Sequence, residues 1–144
     1  ALKGQETKIF DDINRLPMIE EKRVTSTGGY YEYLKISEGC DKHCTYCIIP
    51  KVRGNYRSYP MDYIVKQAEQ LAESGVKELI LVGQEVTMYG VDLHKGRGKG
   101  KKRLAELISK LAKVEGIEWI RLLYCYPEEI DNDLIEAMRT ELRS

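Results

Sequence analysis

Three cysteines crowd into one short stretch, Cys40-Asp41-Lys42-His43-Cys44-Thr45-Tyr46-Cys47, with the spacing C-x3-C-x2-C. Three thiolates on a tight loop can each hold one iron of a cubane iron–sulfur cluster, which ordinarily takes four cysteines. The fourth iron is then left without a protein ligand. An open coordination position is what a substrate-binding metal needs and a structural metal lacks. The alternative metal is zinc, whose structural sites want four closed ligands, usually arriving as two spaced pairs. No second pair exists here, so His43, His94 or the distant Cys125 would have to complete the set. A secreted disulfide framework would spread its cysteines rather than cluster three of four.

Other residues with chemical potential are less sharply defined. Gly83-Gln84-Glu85 follows an apolar run and reads either as a ligand contact or as a polar strand end and turn. Arg53 and Arg57 flank Gly54; they could neutralise a cluster, meet an acidic substrate or form surface ion pairs. Tyr124 and Tyr126 point to opposite sides if strand geometry persists through them, so at most one faces the site. The tract from Lys95 to Arg103 holds six basic residues in nine and reads as a contact for RNA or as a solvated loop. Cys125 reads as a small buried hydrophobe. His94 has no evident partner, and no further side chain is assigned a catalytic role.

The elements that must position these residues are visible in the pattern. Tyr31-Glu32-Tyr33-Leu34-Lys35-Ile36 alternates as a strand does. Met61, Ile64, Val65, Ala68, Leu71 and Ala72 form a helical stripe, with Pro60 near its start and Gly75 as its stop. Leu79-Ile80-Leu81-Val82 predicts a strand buried on both faces. Leu104, Leu107, Ile108, Leu111 and Val114 predict a second helix, Trp119 to Leu123 a third strand, and Leu134, Ile135 and Met138 a last helix capped by Asp131. The order is βαβαβα, so the fold class is α/β with parallel strands and right-handed crossovers. Two strand-to-helix links are long, about 37–60 and about 83–102. Long links that leave the C-terminal ends of parallel strands are where such folds place their sites. The cysteines lie in the first.

Bulk properties limit the alternatives. The chain has 144 residues, 42% of them apolar, enough for one domain with a real core. Its 23 basic and 23 acidic residues show none of the basic excess of a general nucleic-acid or membrane-surface binder. No apolar run approaches the roughly 18 residues of a membrane span, and no signal-peptide layout opens the chain, so a soluble, cytoplasmic protein is expected. Residues 1–29 read as a linker from an absent N-terminal domain, and 30–144 as part of a core domain. Three βα units do not close an eight-stranded barrel of roughly 250 residues. The expectation is a piece of a larger barrel that begins in linker and stops within a helix.

The cysteine loop resembles that of the radical S-adenosylmethionine superfamily, in which the signature follows the first strand of a partial TIM-like barrel. Tyr46 occupies the aromatic position beside the last cysteine. The resemblance implies that Cys40, Cys44 and Cys47 bind a 4Fe–4S cluster whose open iron takes the methionyl amine and carboxylate of S-adenosylmethionine. One electron then cleaves the sulfonium and releases a 5′-deoxyadenosyl radical. It also implies cofactor contacts at Tyr46, Gln84 and Glu85. More narrowly, Ile36-Ser37-Glu38-Gly39-Cys40, Cys47-Ile48-Ile49-Pro50, Arg53-Gly54, Arg57-Ser58, Gly83-Gln84-Glu85 and Tyr89-Gly90 resemble the methylthiotransferases. One branch modifies an aspartate of a small-subunit ribosomal protein; another modifies an adenosine in transfer RNA. Lys35 to Cys40 and Arg121 to Pro127 look like the ribosomal-protein branch. The family also implies a reductant as electron donor and a second 4Fe–4S cluster in an N-terminal domain that this sequence lacks. The rival reading is a non-catalytic metal-binding module.

Overall fold

The computed structural model describes residues 12–18, 27–93 and 100–141. Most of the 1–29 segment, His94 and residues 95–99 of the basic tract lie outside the described residues. In chain order the elements are β1 (Tyr31–Lys35), β2 (Ser37–Glu38), α1 (Ile49–Arg53), β3 (Arg57–Ser58), α2 (Met61–Glu73), β4 (Glu78–Val82), α3 (Leu104–Leu111), β5 (Trp119–Leu122) and α4 (Asn132–Glu141). β1, β4 and β5 form one parallel sheet with β4 in the centre. The expected α/β class of parallel βα repeats is what the structure shows.

The central strand explains its own composition. Leu79, Ile80 and Leu81 are all buried, because β4 has neighbours on both edges and side chains against both of its faces. β1 and β5 alternate instead. Leu34 and Ile120 turn to the core, while Tyr31, Tyr33, Trp119 and Arg121 are exposed on the opposite face. Register aligns Tyr31 with Glu78 and Trp119, and Tyr33 with Ile80 and Arg121. Helices cover one face only: Ile64, Ala68 and Leu71 of α2 and Leu104, Leu107, Ile108 and Leu111 of α3 join Leu34, Leu79, Leu81 and Ile120 in a single cluster. Each such side chain contributes about 1.5–3 kcal/mol when fully buried.

The helix boundaries follow local chemistry. Asp131 accepts a hydrogen bond from the Leu134 amide at 2.9 Å, the expected cap of α4. Gly75, at φ +96, ends α2, and the Val76 amide returns to the Leu71 carbonyl at 3.1 Å. α3 is shorter than the apolar stripe suggested: after Leu111 the chain tightens, with the Val114 amide on the Leu111 carbonyl at 3.1 Å. Among the described residues no helix is long and apolar enough to cross a membrane.

The first long link is not structureless. β2 and β3 pair antiparallel, Ser37 with Ser58 and Glu38 with Arg57, and α1 lies between them. Strands of two residues and a helix of five are too short to show a hydrophobic period. Segment 12–18 rests against this hairpin: the Asn55 amide donates to Asn14 Oδ1 at 3.1 Å, and Leu16 packs on the core.

Candidate functional site

The cysteine loop begins where β1 ends. The Ile36 amide still bonds the Val82 carbonyl at 2.9 Å, and the hairpin of β2 and β3 then turns the chain outward. Gly39 adopts φ +71 and passes so close to the returning strand that a Cβ would lie 2.1 Å from the Asn55 carbonyl oxygen. That approach lets the Cys40 amide donate to the Gly54 carbonyl at 3.2 Å, and Asp41 Oδ1 accept from the Tyr56 amide at 2.9 Å. Beyond them a turn closes with the Cys47 amide on the Cys44 carbonyl at 2.9 Å, and α1 follows.

The second long link braces the first. Asp92 accepts from the Ser58 amide at 2.7 Å and from its hydroxyl at 2.6 Å; the Gly90 amide donates to Ser58 Oγ at 2.9 Å. The buried Tyr89 hydroxyl donates to the Tyr59 carbonyl at 2.9 Å. The Tyr89-Gly90 pair and Asp92 therefore hold the hairpin that presents the cysteines.

Cys40 is buried, Cys44 and Cys47 are half-buried, and all are free thiols. A cavity of about 260 Å³ opens beside Cys40, with Asp41, Lys42, Tyr56, Glu85 and Glu129 in its wall. Burial pushes the Cys40 thiol up; the Lys42 amide, 3.4 Å from its sulfur, opposes this, and the charges of Glu85, Cys47 and Cys44 add to it. A metal binding there must displace the thiol proton, so uptake is coupled to deprotonation. Among the described residues no three His, Cys, Asp or Glu side chains converge as ligands of a single ion. A cubane makes no such demand, since each thiolate serves a different iron. The donor set, three free thiols on one loop with one facing a cavity, fits a cluster of that type.

Of the sequence candidates beyond the cysteines, Glu85 lines the cavity and is 4% exposed. Its Oε1 accepts from the Thr87 and Tyr126 amides, both at 3.3 Å, and from the Thr87 hydroxyl, so it caps the turn at Val86–Met88. Gln84 lies outside the cavity wall, with its Oε1 buried and without a hydrogen-bond partner among the described residues. Tyr46 is 91% exposed. Arg57 donates to the Asn55 carbonyl and, at 3.1 Å, to the Arg53 carbonyl; it stiffens the loop backbone and forms no ion pair with a carboxylate among the described residues. Cys125 is partly buried against the core, and burial raises its thiol pKa.

The condition for Tyr124 and Tyr126 to point to opposite sides, that strand geometry persists through them, is not met. β5 ends at Leu122, and Tyr124 sits at φ 60, which breaks the strand alternation. Tyr126 turns to the cysteine loop, where Lys42 Nζ lies 4.0 Å from its ring centroid, whereas Tyr124 is 67% exposed.

Sequence reasoning missed several residues. Tyr56 is 6% exposed, its hydroxyl has no partner in hydrogen-bond geometry among the described residues, and burial raises its pKa well above the usual phenol value despite the nearby Ser37 and Ser58 hydroxyls. Its side chain forms part of the cavity wall, with the hydroxyl itself buried near Ser37 and Ser58. Glu129 accepts from Lys42 at 2.7 Å and pairs with Lys102 at 2.8 Å. No sequence signal links Glu129 to Lys42, 87 positions away.

The hydrogen bonds from Lys102 and then Lys42 hold the Glu129 carboxyl down, from its ordinary 4.5 to about 2. A depressed carboxyl stabilises the fold above its unfolded pKa and loses that contribution as pH falls through the folded value. The brace should therefore persist at pH 4 and fade between about 4.5 and about 2. Acid titration of the Glu129 carboxyl carbon by NMR is expected to show a midpoint near 2; an ordinary carboxylate midpoint would mean that the brace is not formed in solution.

Comparison with known proteins agrees with this architecture. Residues 34–141 match the family model of the Radical SAM superfamily. The ribosomal protein uS12 methylthiotransferase RimO of Lachnoclostridium phytofermentans is 56% identical over 143 residues, which cover 99% of this chain and 31% of that protein. The protein of the same name from Acetivibrio thermocellus is 57% identical over 135 residues, covering 93% of the chain and 29% of the relative. A Clostridium botulinum relative of that name is 48% identical over 138 residues, 96% of the chain and 30% of the relative. The chain thus spans about 31% of the length of the first of these relatives. A family match that runs from β1 to the end of α4, over the cysteine loop and all three parallel strands, means that this chain belongs to the radical SAM superfamily.

Proposed function

We propose that this chain is the cluster-bearing part of a methylthiotransferase that acts on ribosomal protein uS12, with an aspartate of that protein as the acceptor. One observation carries this reading: three free thiols leave the C-terminal end of β1 on a loop whose buried Cys40 lines a cavity walled by Glu85. The relatives' names favour the ribosomal substrate over transfer RNA. Cys40, Cys44 and Cys47 would each hold one iron of a 4Fe–4S cluster. Such a cluster supplies the electron that cleaves S-adenosylmethionine. The chain's own residues orient and exclude. Gly39 and Asp41 place Cys40, and Glu85 fixes the turn beneath the cavity. Residues 30–144 form part of the catalytic core, and 1–29 connect it to a domain that carries a second cluster. A cellular reductant supplies electrons, and a ribosomal substrate places the enzyme in the cytoplasm.

The test is anaerobic iron–sulfur reconstitution of the chain, followed by electron paramagnetic resonance of the reduced protein before and after S-adenosylmethionine. A cubane signal that shifts on addition is expected. Tight stoichiometric zinc with no cluster would sink this reading and favour the metal-binding module.

A further inference from the structure

The root of the cysteine loop is held by the Cys40 amide on the Gly54 carbonyl and by the Asp41 carboxylate on the Tyr56 amide, but the next residue crosses the site. Lys42 Nζ donates to Glu129 Oε1 at 2.7 Å and sits 4.0 Å from the Tyr126 ring centroid. Glu129 is itself fixed, since Lys102 Nζ reaches its Oε2 at 2.8 Å and its main-chain carbonyl at 2.7 Å. Tyr126 is fixed through its amide on Glu85 at 3.3 Å. Lys42 thus inserts between an anion and an aromatic face that are both held by other elements. The Lys42 and Glu129 side chains are 28% and 25% exposed, so water screens this pair less than a fully solvated one. The exposed Lys101–Asp133 pair, at 82% and 66%, is its natural contrast.

We infer that the Lys42–Glu129–Tyr126 clamp sets the position of the cysteine loop against the loop after β5, and that Lys42 is a positioning residue for the cluster bound there. The inference rests on the cluster reading above. Lys42 stands two residues from Cys40 and from Cys44, and its amide already donates to Cys40 Sγ at 3.4 Å. The reduction potential of a cluster responds to nearby charge and to hydrogen bonds on its sulfur ligands. A cation tethered at this point therefore favours the reduced, more negative cluster, and freeing the loop weakens that effect. Arginine can replace the lysine in both contacts, because guanidinium pairs with carboxylate and stacks on aromatic rings.

The experiment compares the chain with Lys42→Met, Lys42→Arg, Glu129→Gln, the Lys42→Met/Glu129→Gln double variant and a Lys101→Met control. In the metal-free chains, amide hydrogen exchange is measured over residues 40–47 and 126–130. Exchange in both segments is expected to speed several-fold in Lys42→Met and Glu129→Gln. It should go little faster in the double variant than in Glu129→Gln, which already breaks the Lys42 pair along with that of Lys102. Lys42→Arg and Lys101→Met should match the parent. In the reconstituted chains, the midpoint potential should move to more negative values in Lys42→Met, with an altered resonance spectrum, and return in Lys42→Arg. Additive exchange effects, or no effect, would overturn the clamp. Faster exchange with an unmoved potential and spectrum would also overturn the inference, reducing Lys42 to a structural contact. Failure of the parent chain to take up any cluster would defeat the functional reading and the cluster role together, with the exchange arm still reporting on the clamp.

Discussion

Cys44→Ala is expected to leave a folded chain that no longer takes up its cluster. Cys44 is the cleanest of the three positions for this purpose. It is half-buried, it is absent from the core, and the part of it used by the fold is its carbonyl, which receives the Cys47 amide at 2.9 Å. Alanine keeps that carbonyl. The stability of the metal-free chain should therefore change by no more than about 0.5 kcal/mol, as for substitutions that touch no special feature. Cluster content should nevertheless fall to background, because two thiolates leave two irons of a cubane without protein ligands. Iron and sulfide analysis after anaerobic reconstitution, beside a urea melt of the metal-free protein, separates the two effects. A variant that kept full iron content and the parent spectrum would place ligation elsewhere and remove the central claim of the functional reading. Cys40→Ala is less informative, since Cys40 is only 9% exposed and its loss also disturbs packing.

Gly39→Ala should be the most damaging single methyl that can be added to this site. At φ +71 an L-residue is strained by about 1–2 kcal/mol. The new Cβ would also lie 2.1 Å from the Asn55 carbonyl oxygen and 2.5 Å from that of Gly54. Those atoms are backbone of the segment that joins α1 to β3 and cannot swing aside as a side chain would. Forcing them apart costs about 1–3 kcal/mol more, and it lengthens the Cys40 amide bond to Gly54 that seats the first thiol. A loss of roughly 2–5 kcal/mol takes a large share of the 5–15 kcal/mol that holds a domain folded. Gly75→Ala supplies the comparison. Gly75 also has positive φ, at +96, but a Cβ there meets nothing within 4 Å, so only the conformational cost applies. Urea midpoints should fall further for Gly39→Ala than for Gly75→Ala, at unchanged slope. Equal losses would show that the hairpin yields to the added carbon.

The elements that carry the core were readable because burial imposes a period. The alternation through Tyr31 to Ile36, the unbroken run at Leu79 to Val82 and the stripes of α2 and α3 each report which face meets the interior. Asp131 and Gly75 mark helix ends by local hydrogen bonding and by φ, neither of which needs a distant partner. The hairpin of β2 and β3 was invisible, since pairs such as Ser37 with Ser58 carry no pattern in so few residues. The left-handed conformation at Tyr124 was equally invisible, because nothing in its neighbours' types announces a residue at φ 60.

The cysteine spacing pointed to thiolate ligation of a cluster with one open iron, because ligand identity and spacing along one loop are properties of contiguous residues. The order of strands and helices likewise placed that loop at the C-terminal end of a parallel sheet. Only the tertiary structure decided that Cys40 is buried beside a cavity, while Tyr46 stands in solvent. It alone showed that Glu85 caps a turn and that Asp92 clasps the hairpin. It alone brought Lys42 to Glu129 across 87 positions. The reason is physical. A hydrogen bond or ion pair is specified by where two groups meet in space, and for residues on different strand-end loops that meeting depends on the whole sheet being assembled between them.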